Sequence, residues 1–191
     1  MKIAALGKRP TRRIIGIDPG TNLLGFAVLE ETRGKRSLSE LGVHRVPRGI
    51  SDAEKLRSIF DFVGEVMLRF DPDECAVEAP FYGKNVQSML KLGRAQGVVM
   101  AAAIAHGVPV SEYAPKKVKM SVTGSGGASK EQVADMLCSM LNFKRGNMPL
   151  DATDAAAVGL CHLNQGPLGS VRRETYNGWK AFVEQHPERS R

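Results

Sequence analysis

A chain of 191 residues with 27 Lys and Arg against 20 Asp and Glu carries a formal net charge of +7 and an isoelectric point near 9.5, a balance that suits a polyanionic partner such as nucleic acid. Its 42% hydrophobic and 25% charged content is that of a globular chain with enough length for one sizeable core. Val98 to Ala105, the most apolar stretch, is far too short to span a bilayer, and three widely spaced cysteines without a CxxC pair exclude a disulfide framework or a zinc site and fit a reducing cytoplasm.

Residues 1–12 read as a basic arm, with Lys8, Arg9, Arg12 and Arg13 interrupting any apolar core for a signal sequence. Ile14 to Asp18 is a near-continuous apolar run, the pattern of a strand buried on both faces, and Pro19-Gly20-Thr21-Asn22 is turn chemistry leading to a second strand at Leu23 to Leu29. The polar turn Thr32-Arg33-Gly34-Lys35 precedes a third strand over Leu38 to Val46. Ser51-Asp52-Ala53-Glu54 is a capping box that opens an amphipathic helix ended by Asp71-Pro72-Asp73. Glu74 to Glu78 is a short strand, and a long helix from Asn85 to His106 stops at Gly107. After a strand at Val108 to Tyr113, Pro115 begins a helix as its first residue. Ser129-Lys130-Glu131-Gln132 caps another helix through Leu141, and the last core helix runs from Leu150 to Asn164. The order β-β-β-α-β-α-β-α-α-α predicts an α/β fold, a five-stranded mixed sheet with helices on both faces. Residues 13–165 form its one domain, followed by a tail at 166–191.

Four acids stand inside or beside apolar segments: Asp18, Glu78, Asp151 and Asp154. A buried carboxylate is costly unless it is paired or binds a metal. Asp18 alone could be a turn-former and Asp151 a helix N-cap, whereas Glu78 on an apolar strand has little else to do. Asp151 and Asp154, three apart, share one helical face, so two ligands from the sheet and two from a helix can converge. Oxygen-only ligands favour Mg²⁺ or Mn²⁺, and on so basic a chain the expected substrate of such a site is a phosphodiester. The four histidines are scattered and none is assigned to chemistry.

Taken in order, Ile15-Gly16-Ile17-Asp18-Pro19-Gly20, Glu78-Ala79-Pro80-Phe81-Tyr82-Gly83-Lys84-Asn85, Leu90-Lys91-Leu92-Gly93-Arg94-Ala95-Gln96-Gly97, Glu112-Tyr113-Ala114-Pro115, Val118-Lys119, Gly124 to Lys130 and Asp151-Ala152-Thr153-Asp154-Ala155 resemble the RuvC-type Holliday junction resolvases of the RNase H-like nuclease superfamily. The likeness covers about residues 13–165. It implies a homodimeric, divalent-metal endodeoxyribonuclease that resolves four-way junctions by paired nicks, leaving 5′-phosphate and 3′-hydroxyl ends. Asp18, Glu78, Asp151 and Asp154 would hold two Mg²⁺ per subunit, with Mn²⁺ able to substitute.

By the same resemblance Phe81 matches an aromatic that stacks on bases at the opened junction, with Tyr82 assisting. Lys119 and Lys130 match basic residues near the scissile phosphate, Lys116 and Lys117 cluster with Lys119, and Lys84 and Arg94 are candidates for backbone contact. Gly124-Ser125-Gly126-Gly127 would be a mobile DNA-contacting loop. Leu90, Leu92, Val98, Val99 and Ala102 lie on the helix that the family uses to dimerise, although their pattern alone reads as core. A branch-migration motor of the RuvA and RuvB type is the implied further partner. Two related readings differ in substrate or chemistry: an RNase H-like nuclease acting on RNA, as in ribosomal RNA processing, and a noncatalytic junction-binding relative, which would be expected to lack one or more acids. An actin-like or Hsp70-like ATPase also carries an Asp in its first hairpin, but 191 residues leave no room for its two lobes.

Overall fold

The structure is a computed structural model and describes residues 11–80, 85–144 and 146–166. Three strands, β1 (Thr11–Asp18), β2 (Leu23–Thr32) and β3 (Lys35–Arg45), form an antiparallel meander. Arg33 and Gly34 both take positive φ, 52° and 78°, as a two-residue turn between twisted strands requires. Helix α1 (Asp52–Phe70) leads to β4 (Glu74–Glu78), α2 (Val86–Ala105) to β5 (Val110–Tyr113), and α3 (Pro115–Thr123), α4 (Lys130–Leu141) and α5 (Leu150–Asn164) complete the described chain. Both expected capping boxes are formed, Ser51 with Glu54 and Ser129 with Gln132, and Pro115 occupies the first turn of α3.

The sheet order is β3-β2-β1-β4-β5, with β4 parallel to both β1 and β5. Side chains alternate across it. Ile15, Ile17, Cys75 and Val77 pack under α1 and α2, whereas Ile14, Ala76 and Tyr113 pack under α3, α4 and α5. The first strand begins at Thr11, ahead of the expected Ile14, because Thr11 and Arg12 still pair with Thr32 and Glu31 of β2. Likewise β3 starts at Lys35, tight against the turn, and carries a bulge where Val28 pairs with Glu40 but Leu29 with Leu38.

Helix α5 lies unusually close to the sheet. Its buried face is mostly small, with Ala152, Ala155, Ala156 and Gly159, and it meets glycines on the strands below. A Cβ added at Gly16 would come within 2.2 Å of the Ala155 carbonyl oxygen, and one at Gly25 within 1.9 Å of the Asp151 carbonyl oxygen. Backbone therefore packs on backbone at both ends of this contact, and the position of α5 over β1 and β2 is set to a fraction of an ångström.

On α2, Val99 and Ala102 are fully buried in the core, as their pattern alone suggests, so they are not on an exposed dimerisation face. The large apolar residues that α2 does expose are Val86, Leu90 and Ile104. The cysteines are free, and burial pushes the Cys75 thiol up to about 12, as a packing role requires. Among the described residues no helix is long and apolar enough to cross a membrane.

Candidate active site

Three of the four predicted acids meet at one end of the sheet. Ile17 pairs with Val77 in the parallel β1–β4 ladder, so Asp18 and Glu78 follow side by side as the last residues of adjacent strands. Each lies two residues beyond a position covered by α5, Gly16 and Ala76, and so points to the same face. Asp18 also pairs with Gly25, the glycine on which the first turn of α5 rests, and this brings Asp154 over the two strand ends. Asp18 is hydrogen-bonded to Glu78 and interacts electrostatically with Asp154.

The electrostatics are those of a crowded carboxylate cluster. Burial, then the charges of Glu78 and Asp154, push Asp18 up to about 9, so at neutral pH it keeps its proton and donates it to Glu78. Burial also raises Glu78 and Asp154 above the ordinary carboxylate range. Lys130 answers part of this charge. Its ammonium donates to Asp154, and although burial opposes it, that bond and the surrounding acids raise the lysine further above its usual value. As the side chains stand, among the described residues no three acidic, His or Cys side chains surround a common point at ligating range. Asp18 and Glu78 satisfy each other, and Lys130 occupies Asp154.

Asp151 sits in the first turn of α5, where a negative charge is favoured by the helix dipole, and Pro149 takes the N-cap position that Asp151 might have filled. It interacts with Asp154 and Lys130, at the edge of the cluster. A cleft of about 770 Å³ opens beside the acids, with Glu78, Asp154, Lys116, Lys119 and Lys130 on its walls. Lys119 is aimed by a 2.7 Å bond to the Ala128 carbonyl, and the methylenes of Lys116 pack over Gly126. The loop over 124–127 is further tied by the Thr123 hydroxyl, which donates to the Ser125 carbonyl at 3.0 Å. Lys117 turns away and stacks over the Tyr113 ring, 5.1 Å from its centroid. Phe81, Tyr82 and Lys84 lie outside the described residues.

Residues 14–162 match the family described as crossover junction endodeoxyribonuclease RuvC. The chain belongs to the RuvC family. The crossover junction endodeoxyribonuclease RuvC of Bacteroides fragilis is 49% identical over 179 residues, covering 92% of this chain and 94% of the relative. Thermus thermophilus RuvC, solved in complex with a Holliday junction substrate, aligns with a TM-score of 0.74 at 36% identity over 80% of this chain and 93% of that one. The yeast mitochondrial Holliday junction resolvase aligns with a TM-score of 0.63 at 13% identity over 80% and 78% of the two chains, a likeness of fold alone.

Two features of this RuvC-family chain escaped the sequence reading. Gln96, buried on α2, lines a small recess with Asp18 and Glu78, and its amide donates to Glu112 at 2.6 Å. A lone amide on an apolar helix face was the available signal. The second is a buried chain of polar groups at the far end of α5. Tyr113 bonds His162 at 2.7 Å, His162 bonds Glu74 at 2.8 Å, and Arg12 donates to Glu74 at 2.7 Å and to the Gly166 carbonyl at 3.0 Å. Burial pushes Glu74 upward, but the bonds from His162 and Arg12 outweigh it and hold the carboxyl down at about 2. Arg12, read from sequence as part of a basic arm, is thus a structural ion-pair partner.

Proposed function

We propose that this chain is an endodeoxyribonuclease that resolves four-way (Holliday) DNA junctions, hydrolysing phosphodiesters with carboxylate-held divalent metal. The observation that carries the reading is the convergence of Asp18, Glu78 and Asp154 beside Lys119 and Lys130 in one cleft. Buried acids this close cannot all ionise unaided, and the lysines beside them suit a polyanion. Membership of the RuvC family supports the junction as substrate.

The donor set fits a hard cation. Every candidate ligand is a carboxylate, and the raised acids would ionise on gaining a positive partner. Asp18, Glu78 and Asp154, with Asp151 at the edge, would hold two Mg²⁺ per subunit, or Mn²⁺ in their place. When bound, these ions would supply the charge that keeps the acids ionised and Lewis acidity at phosphorus for in-line attack by water. The chain's own part is orientation. Asp18 must lose its proton and Lys130 must release Asp154, after which Lys130 and Lys119 face the phosphate and neutralise it. Lys116 extends the basic wall along the strand. The products are 5′-phosphate and 3′-hydroxyl ends.

Phe81, Tyr82 and Lys84 follow directly on Pro80, which lines both the recess and the cleft, and this chain position supports base stacking by Phe81 and Tyr82 and backbone contact by Lys84. Val86, Leu90 and Ile104 on the exposed face of α2, with open space over Gly93 and Gly97, support a homodimer through this helix. Two copies would give the paired symmetric nicks that resolution requires. The nuclease domain, expected over residues 13–165, takes in Thr11 and Arg12 as well, since both pair with β2, with the residues before them an arm and 166–191 a tail. A RuvA- and RuvB-type motor is the expected partner and the cytoplasm the expected compartment.

The test is Mg²⁺-dependent cleavage of a synthetic four-way junction beside linear duplex and RNA–DNA hybrid. Paired nicks confined to the junction are expected. Asp18→Asn should lower cleavage by more than about 100-fold while binding persists, since it removes a ligand and leaves the basic walls. Preferred cutting of the hybrid, or substantial cutting by Asp18→Asn, would overturn the assignment.

A further inference from the structure

The cleft beside the acids is not the only opening that reaches them. On the other side of Asp18 a groove of about 440 Å³ runs between α1 and α2. Its lining includes Leu92, which also lines the recess holding Asp18 and Glu78, and that recess shares Glu78, Ala79 and Pro80 with the cleft, so the three openings adjoin one another around the acids. Its walls carry three cations from two helices, Lys55 on α1 and Lys91 and Arg94 on α2. The turn after β1 adds Asn22 as a neutral donor.

The charge in the groove is not consumed internally. Asp52 is its one acid, and it meets Lys91 at 3.8 Å with both side chains about half exposed, a pair of little energetic consequence. Among the described residues neither Lys55 nor Arg94 has an acidic partner. A groove open at its surface, holding three cations against one carboxylate and adjoining the recess of the acids through Leu92, matches a phosphodiester backbone better than an isolated small anion.

We infer that this groove is a second backbone-binding track, which receives the phosphates of the DNA strand as it continues past the scissile position on the side opposite Lys116, Lys119 and Lys130. The inference rests on the nuclease reading above and deepens it. The strand would cross the acids with cations on both flanks, so that one phosphate is held from two directions at the point of cleavage. Lys55 contributes from α1, which takes no part in the exposed face of α2.

The experiment measures junction binding in chelator across a salt series for the full chain, for Lys55→Gln and for Lys55→Gln with Lys91→Gln. As a control, Arg33→Gln with Lys35→Gln removes equal charge at the far turn of the β2–β3 hairpin. A lysine that neutralises one phosphate adds about 0.9 to the slope of log K against log salt, and its removal flattens the slope by that amount. Lys55→Gln is expected to flatten it once and the double variant twice over, whereas the hairpin control leaves it unchanged. Single methylphosphonate linkages stepped along the strand from the cut site locate the partner. At one position the neutral linkage should weaken the unsubstituted chain several-fold and leave Lys55→Gln unaffected.

Light scattering keeps any change of oligomeric state separate, and Lys55→Gln decides the matter even if the Lys91 substitution disturbs α2. A slope for Lys55→Gln equal to that of the control, with no linkage position coupled to it, would overturn the track. If the unsubstituted chain neither bound nor cut the junction, the failure would lie with the substrate assignment instead.

Discussion

Gly25→Ala should damage catalysis from beneath. The new Cβ would lie 1.9 Å from the Asp151 carbonyl oxygen and 2.5 Å from its carbonyl carbon, both backbone atoms that no rotamer change can move. Ordinary contact needs about 3.4 Å, so β2 and the first turn of α5 must part by more than about 1 Å. That turn carries Asp151 and leads into Asp154, while the strand pairs Gly25 with Asp18, so the parting separates the helix acids from the strand acids. A misplacement of about 1 Å can cost on the order of 100-fold in rate. Overpacking of a buried contact costs about 1–3 kcal/mol, or roughly 2–12 °C in Tm for a domain of this size. Single-turnover junction cleavage at saturating Mg²⁺, beside thermal unfolding and junction binding, checks it. Cleavage should fall by about 100-fold, with binding little changed because the lysines sit on α3 and α4. An alanine variant that cleaves at the native rate with an unaltered Tm would refute the claim that backbone contact sets the position of α5.

Three further outcomes are expected. In chelator, folded Asp18 keeps its proton up to about pH 9 whereas the unfolded chain gives it up near 3.8, so the fold binds more protons between these values and loses stability as pH rises; the slope should be roughly 1 kcal/mol per pH unit from pH 5 to 8, read by denaturant unfolding, and saturating Mg²⁺ should remove most of it. Gly16→Ala, whose Cβ would meet the Ala155 carbonyl at 2.2 Å, should reproduce the Gly25→Ala defect from the middle of the helix. His162→Phe removes the partner that buried Glu74 and Tyr113 share, and should cost about 3 kcal/mol of stability, measured by urea unfolding at pH 7.

Local chemistry made much of this fold legible. Ser51 and Ser129 announce their helices because a capping box is complete within four residues, and Thr32-Arg33-Gly34-Lys35 reads as a turn because it is a polar run that holds a glycine. Asp18, Glu78 and Asp154 stood out because an apolar setting makes a carboxylate conspicuous. What stayed hidden depends on partners distant in the chain. Glu74 and His162 are 88 residues apart, and neither looks unusual until α5 is laid across β4. Arg12 read as part of a basic arm because its partner Glu74 is 62 residues away. The two faces of α2 could not be told apart by periodicity, since Val99 and Leu90 are equally apolar and only the packing of α1 decides which is covered.

The sheet also constrains how two copies of this chain can meet. Its edges are β3 and β5, and both resist strand addition. The edge strand β3 carries the bulge opposite Val28 and Leu29 and a row of charges including Lys35, Arg36, Glu40 and Arg45, while β5 is only four residues long. Among the described residues neither offers a long flat ladder to a neighbour, so growth of the sheet from one molecule into the next is disfavoured at both margins. Any assembly of two copies would therefore fall to helical surfaces rather than to pairing of sheet edges.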